Sequence, residues 1–217
     1  MIFAHSQKIL FVGASLTDCG RREEHAPYGN GFMSLIRAFV DARYPELGLN
    51  WVNHGVGGDT VRELAARWDR DVIAERPDWI SLQLPANDVW RFFGDHPEQG
   101  VSVDEYETTV RSLLQRSVDG TRARLIVAEP MCINADPADP MRAMIDTYGA
   151  VARRVAGKFD AIVIRQQQAF DAALATTSPR DWSDDGVHPF LPGHAVIALA
   201  YLRSFGFTLD PSSDSKS

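Results

Sequence analysis

The sequence predicts an α/β fold, a parallel sheet with helices packed on both faces. Two observations carry this. Five short, nearly all-apolar runs rich in β-branched residues recur at positions 8–13, 50–56, 79–84, 124–129 and 161–165. Runs of that length and character suit strands covered on both sides. Between them lie longer segments with apolar residues three and four apart, and strands joined through helices run parallel. No internal repeat, low-complexity stretch or Pro/Gly/Ser-rich linker breaks the alternation. A chain of 217 residues suffices for one such domain and is short for two. The domain is expected over residues 1–209, with residues 210–217 (Asp-Pro-Ser-Ser-Asp-Ser-Lys-Ser) as a polar, frayed tail.

Each element follows from its pattern. The first strand, 8–13, runs directly into Gly13-Ala14-Ser15, and a helix is expected over 31–44. The second strand, 50–56, ends in a turn crowded with Gly55, Gly57 and Gly58, followed by a helix over 60–75. The third, 79–84, leads into Pro85-Ala86-Asn87-Asp88 and then a helix over 104–118, where Tyr106, Val110, Leu113 and Leu114 form one apolar stripe. The fourth strand, 124–129, precedes a helix over 139–158, and the fifth, 161–165, precedes a short one over 169–175. A last helix follows Pro192, because proline's fixed φ and missing N–H suit a first helical turn.

Composition narrows the function classes. The formal net charge is −7, and the basic pairs Arg21-Arg22 and Arg153-Arg154 are too small for a phosphate-binding patch, which argues against nucleic acid. No apolar run approaches the roughly 18 to 20 residues that span a bilayer. The N-terminus lacks a basic segment followed by an apolar one, so no signal peptide is expected. Two cysteines, Cys19 and Cys132, without a CxxC pair fit a reduced, cytoplasmic chain.

Open parallel sheets bind ligands at the carboxyl ends of their strands, and there the sequence brings Ser, Gly and Asn together. Ser15 alone reads as a helix cap or loop residue, and Thr17 rules out the G-x-S-x-G elbow. Gly55, Gly57 and Gly58 read as a tight turn, a phosphate loop of non-standard spacing, or an oxyanion hole in which an N–H approaches substrate unobstructed. Asn87 reads as a local backbone cap or an amide donor to an oxyanion. Asp185-Gly-Val-His188 is the sharpest feature. It could ligate a metal, but supporting ligands at suitable spacing are missing. A carboxylate three residues before a histidine can instead orient the ring so that its other nitrogen takes a proton from a serine. Asp184 and Asp181 compete with Asp185, and the offset to His188 selects Asp185. Of the other histidines, His194 reads as packing, and His54 as packing or a substrate contact.

The order Gly13-Ala14-Ser15-Leu16, Asn53-x-Gly55-x-x-Gly58-Asp59-Thr60, Ala86-Asn87-Asp88 and Asp185-x-x-His188 resembles the four blocks of the SGNH, or GDSL, hydrolases, over residues 8–207. Ser15-Leu-Thr-Asp-Cys-Gly-Arg21, Tyr28-Gly-Asn-Gly31, Asn87-Asp-Val-Trp-Arg91 and Asp139-Pro-Met-Arg142 resemble the bacterial acetylxylan and carbohydrate acetylesterase branch. The resemblance implies a three-layer, flavodoxin-like fold with a five-stranded parallel sheet of order 2-1-3-4-5. It implies a serine esterase acting on a small-molecule ester or an acetylated oligosaccharide, with no metal or organic cofactor. Ser15 would be the nucleophile of a catalytic triad with His188 and Asp185, and the Ser15 and Gly58 N–H groups with the Asn87 amide would form the oxyanion hole. It also implies a homo-oligomer. Two positions depart from the pattern: Ala14 stands where the family has an Asp that helps fix the nucleophile loop, and Pro85 stands where Gly is usual. Trp90, Arg91, Met131 and Trp182 are expected near the rim as substrate contacts or as structural side chains, Trp182 as a platform for a sugar ring. A thioesterase or lysophospholipase on the same fold, and a weakly active or non-catalytic carbohydrate-binding descendant, are the alternatives.

Overall fold

A computed structural model describes residues 1–209. The expectation of a frayed tail at 210–217 lies outside the described residues. The chain runs β1 (Lys8–Gly13), α1 (Ser15–Asp18), α2 (Phe32–Arg43), β2 (Asn50–Gly55), α3 (Val61–Trp68), β3 (Trp79–Gln83), α4 (Asn87–Trp90), α5 (Val103–Gly120), β4 (Arg124–Ala128), α6 (Pro140–Ala156), β5 (Ile162–Ile164), α7 (Gln166–Leu174) and α8 (Leu191–Ser204). The five strands form one parallel sheet of order β2-β1-β3-β4-β5. This is the doubly wound order expected above, and it opens a crevice between β1 and β3, whose outgoing connections run to opposite sides of the sheet.

Strand residues alternate between two cores. Leu10, Val12, Ile80, Leu82, Leu125 and Val127 face α3, α5 and α6, packing on Leu64, Trp68, Tyr106, Leu113 and Val155. Ile9, Phe11, Trp79, Ile126 and Ala128 face α2, α7 and α8, packing on Phe32, Ile36, Phe170, Ile197 and Tyr201. The stripe of Tyr106, Val110, Leu113 and Leu114 is wholly buried. Both sheet faces are therefore closed, and only the strand ends are left to receive a ligand. Among the described residues, no helix is long and apolar enough to cross a membrane.

Helix ends follow side-chain chemistry. Thr60 caps α3, its hydroxyl accepting the Arg62 N–H at 3.2 Å while Glu63 Oε2 accepts the Thr60 N–H at 2.7 Å. Asp139 accepts the Arg142 N–H at 2.9 Å ahead of Pro140. The helix expected over 60–75 is α-helical only to Trp68 and then widens to a π turn over Asp69–Ile73, closed by the Ala74 N–H on the Asp69 carbonyl at 2.9 Å. Val72 stays buried through the change, so the apolar period does not register it. α7 begins at Gln166, earlier than position 169, because its first turn is polar: the Gln166 amide donates to the Glu129 carbonyl and the Gln167 amide to the Cys132 carbonyl.

Candidate active site

β1 delivers Ser15 to the carboxyl edge of the sheet. Gly13 is required there, since a Cβ would lie 2.8 Å from the Gln83 carbonyl and collide with Thr17 Oγ1. Ser15 opens the one-turn helix α1, whose packing against β2 depends on Gly55: a Cβ at that position would collide with the backbone of Thr17 and Asp18. The Asn53 amide donates to the carbonyls of Thr17 (2.7 Å) and Tyr28 (2.8 Å), and its oxygen accepts the Gly55 N–H at 2.8 Å. Arg21 Nε donates to the Gly55 carbonyl at 2.7 Å. Asp18 Oδ2 accepts the Gly57 N–H at 2.8 Å and pairs with Arg22. Burial opposes ionisation of Asp18, but Arg22 and the Gly57 N–H together hold its carboxyl below the usual value.

His188 reaches Ser15 from the loop before α8. Ser15 Oγ and His188 Nε2 are 2.8 Å apart, and His188 Nδ1 and Asp185 Oδ2 are 2.7 Å apart. Asp185 Oδ1 accepts the N–H groups of Val187 (2.9 Å) and His188 (2.8 Å) and the Ser183 hydroxyl (3.0 Å). Partial burial raises the Asp185 carboxyl, but the His188 backbone N–H, the His188 ring and the Val187 N–H outweigh it and bring it to about 2. Gly186, at φ +77°, permits the turn. The Trp90 ring meets the His188 ring edge-on, with centroids 5.5 Å apart. Asp184 is exposed, and it is Asp185 that bonds the imidazole.

Two further loops face the same point. Gly58 sits at φ +87°, a left-handed conformation that favours glycine. Among the described residues, neither the Ser15 nor the Gly58 N–H has a protein acceptor, whereas the Gly57 N–H is taken by Asp18. Asn87 is 5% exposed, and its Nδ2 spends one hydrogen on the Asp59 carbonyl at 2.8 Å, leaving the second. Arg91 Nη2 donates to the Gly58 carbonyl at 2.7 Å. Beside Gly58 and Asn87 opens a cleft of about 270 Å³, walled by Trp90, Arg91, His96 and Gln99.

The remaining sequence candidates divide. Trp90 and Arg91 line the cleft. Met131 does not: it is wholly buried in the α2/α7/α8 core and offers no surface to a substrate, which corrects its placement on the rim. A strand-end position says nothing about which way the next side chain turns. Trp182 is half-buried, its indole N–H donating to Thr177 Oγ1 at 2.7 Å and its ring packed edge-on against Phe170. His194 is a packing residue, with Nδ1 accepting the Phe32 N–H at 3.3 Å; burial, aided by the charge of His188, pushes its ring down to about 4. His54 bonds Glu75 at 3.1 Å. Burial raises both thiols, Cys19 and Cys132, to about 12. Sequence reasoning missed Ser183, whose hydroxyl also lies 2.9 Å from the His188 carbonyl, and Asp18. The signal for Ser183 was its place in Ser183-Asp-Asp-Gly-Val-His188, where a hydroxyl two residues before an Asp turn is well set to bond it.

Known proteins resemble this arrangement over nearly the whole chain. The profile of the GDSL-like lipase/acylhydrolase family matches residues 11–196. An acetylxylan esterase from Geobacillus stearothermophilus is 40% identical over 215 residues, spanning 95% of this chain and 97% of the relative. The crystal structure of Axe2, an acetylxylan esterase from that organism, superposes with a TM-score of 0.92 at 39% identity, covering 96% of this chain and 98% of Axe2. LAE5, an alpha/beta hydrolase enzyme from the metagenome of Lake Arreo, superposes at 0.90 with 38% identity over 95% and 98% of the two chains.

Proposed function

Because the chain belongs to the GDSL-like lipase/acylhydrolase family and is a carboxylic ester hydrolase, we propose that it removes short acyl groups, O-acetyl groups on carbohydrate such as xylo-oligosaccharides, through an acyl-enzyme on Ser15. The observation that carries the reading is the unbroken chain from Ser15 Oγ to His188 at 2.8 Å and on to Asp185 at 2.7 Å, beside the Ser15 and Gly58 N–H groups, which have no acceptor among the described residues. In this mechanism Ser15 Oγ attacks the ester carbonyl as His188 Nε2 takes its proton. Asp185 holds Nδ1–H and stabilises the imidazolium that forms. The negative charge on the carbonyl oxygen is met by the N–H groups of Ser15 and Gly58 and by the second Asn87 amide hydrogen. His188 then returns the proton to the departing sugar oxygen. Water, activated by the same ring, cleaves the acyl-enzyme and restores Ser15.

The substrate class rests on the relatives named as acetylxylan esterases and on a cleft with an aromatic wall at Trp90, whose face can pack on a sugar ring. Trp90 and Arg91 are the substrate contacts in this reading, and the half-buried Trp182 is a sugar platform in the same proposal. A reduced, cytoplasmic setting is supported by two unpaired cysteines, and a homo-oligomer is part of the same proposal.

The test is turnover of acetylated xylo-oligosaccharides against an ester series of rising chain length, in the wild type and in Ser15→Ala. The expected result is a preference for acetyl and a loss in Ser15→Ala of at least about 10³-fold. Undiminished turnover by Ser15→Ala would sink the assignment. A preference for long acyl chains would move the substrate to a thioester or lysophospholipid.

A further inference from the structure

Arg67 lies on the core-facing side of α3, among the wholly buried Val61, Leu64 and Trp68, and is itself 8% exposed. A guanidinium in that position is costly unless its N–H groups find acceptors. Nε donates to Asp59 Oδ2 at 2.7 Å and Nη2 to the Gly13 carbonyl at 3.1 Å. Nη1 donates to the His54 carbonyl at 2.8 Å and to Asp71 Oδ2 at 2.9 Å. The acceptors come from four segments: the end of β1, the end of β2, the turn after β2 and the π turn after α3.

Three of those segments adjoin the reacting point. Gly13 stands two residues before Ser15, and its carbonyl also receives the Val56 N–H at 3.0 Å. Asp59 directly follows Gly58. The Asp59 carbonyl is the anchor of Asn87 Nδ2 at 2.8 Å. The segments that present the Ser15 N–H, the Gly58 N–H and the Asn87 amide are thus referred to one side chain that none of them contains.

We propose that Arg67 is a positioning residue for ester hydrolysis, setting the mutual spacing of the Ser15, Gly58 and Asn87 donors. This rests on the reading of those three groups given above. The guanidinium is planar and offers its donors in a fixed fork, so acceptors that share it are fixed relative to one another. An apolar side chain of similar volume can replace a buried ion pair and keep the fold; it cannot fix the three loops. Donors act on an oxyanion only at hydrogen-bond distance from where the charge develops. Their interaction is stronger in the transition state than with bound ester, so a misplaced set lowers kcat more than it raises KM.

The experiment uses Arg67→Ala and Arg67→Lys, with guanidinium ion as the probe and ammonium at equal ionic strength as its control. In folded Arg67→Ala, kcat on an acetyl ester is expected to fall by about 10²-fold, with KM changed by less than about threefold. Guanidinium at tens of millimolar, filling the vacated site, is expected to restore kcat by about tenfold, and ammonium is not. Arg67→Lys, whose single ammonium cannot reach all the acceptors, is expected to lose kcat with KM kept and to ignore guanidinium. A folded Arg67→Ala with wild-type kcat, or one whose loss lies wholly in KM, overturns the proposal. Should Arg67→Ala fail to fold, Arg67→Lys decides by the same split: wild-type kcat overturns it. Ser15→Ala separates the two levels. If Ser15→Ala keeps full turnover, the reading of the site fails; if it is inactive while both Arg67 variants keep kcat, only the role of Arg67 fails.

Discussion

Asp88 follows Asn87 on α4 and has no exposed surface. Its Oδ1 accepts the Val61 N–H at the start of α3 at 3.0 Å, tying the Asn87 loop to the Gly58 turn. Its Oδ2 and the Tyr106 hydroxyl are both buried without a partner among the described residues. Burial raises the carboxyl to about 7 from the ordinary 3.8, against the pull of the Val61 N–H; Glu63 adds to the rise and Arg62 opposes it, while Tyr106 and Tyr148 face it from α5 and α6. The folded chain therefore keeps a proton that the unfolded chain loses above about pH 4, so stability falls as pH rises from about 4 to about 7. A rise from 3.8 to about 7 at about 1.4 kcal/mol per pKa unit amounts to about 4 kcal/mol. Asp88→Asn keeps the acceptor for Val61 and removes the ionisation. Relative to wild type, the variant should gain about 4 kcal/mol between pH 4 and pH 8. For a domain of this size that is on the order of 10 °C in Tm. Thermal unfolding of both proteins across that range measures it, with kcat expected to stay within a few-fold because the tie to α3 survives. A stability difference that does not change with pH would refute the reasoning.

Two more outcomes follow from the site. Asp185→Asn removes the acceptor that fixes the His188 tautomer and should lower kcat by on the order of 10⁴-fold, while Asp184→Asn, at an exposed position, should leave it nearly unchanged; steady-state kinetics compare them, and the reverse ranking would reassign the acid. With both thiols raised to about 12 by burial, Cys19 and Cys132 should resist iodoacetamide in the native protein at neutral pH and react once it is denatured, as read by intact mass.

Strands were legible to within a residue or two because the central strands, buried on both faces, leave nearly unbroken apolar runs, and β1 and β2 end in glycine. Val56, Leu84, Glu129, Ala161 and Arg165, expected within strands, lie just outside them; Val56, Leu84 and Glu129 still donate to the neighbouring strand, to Gly13 at 3.0 Å, Ala128 at 3.0 Å and Ile164 at 3.3 Å. The π turn after α3 and the polar first turn of α7 were not legible, since the first preserves the apolar period and the second hides it. Of the candidate site, Ser15, His188 and Asp185, which the fold brings within hydrogen-bond distance of one another, stood out in the sequence by a strand end or a fixed offset. Met131 failed because a position at the edge of the sheet does not give the direction of the side chain.

What the sequence could not convey is how the nucleophile turn is held. Ala14 has no side-chain group to fix it, and read locally its place before Ser15 promises a loose loop. The turn is fixed from outside its own sequence. Val56 N–H and Arg67 hold the Gly13 carbonyl, Asn53 holds the Thr17 carbonyl, and Asp18 reaches over to the Gly57 N–H. These side chains are read locally as a strand residue, a helix residue and a loop charge. Arg67 did leave one trace: an arginine three residues after Leu64 and next to Trp68, on the apolar side of an amphipathic helix. A long charged side chain there must either reach solvent or find acceptors within the fold. At 8% exposure it does the latter, and the acceptors it finds are the ends of the strands that carry the site.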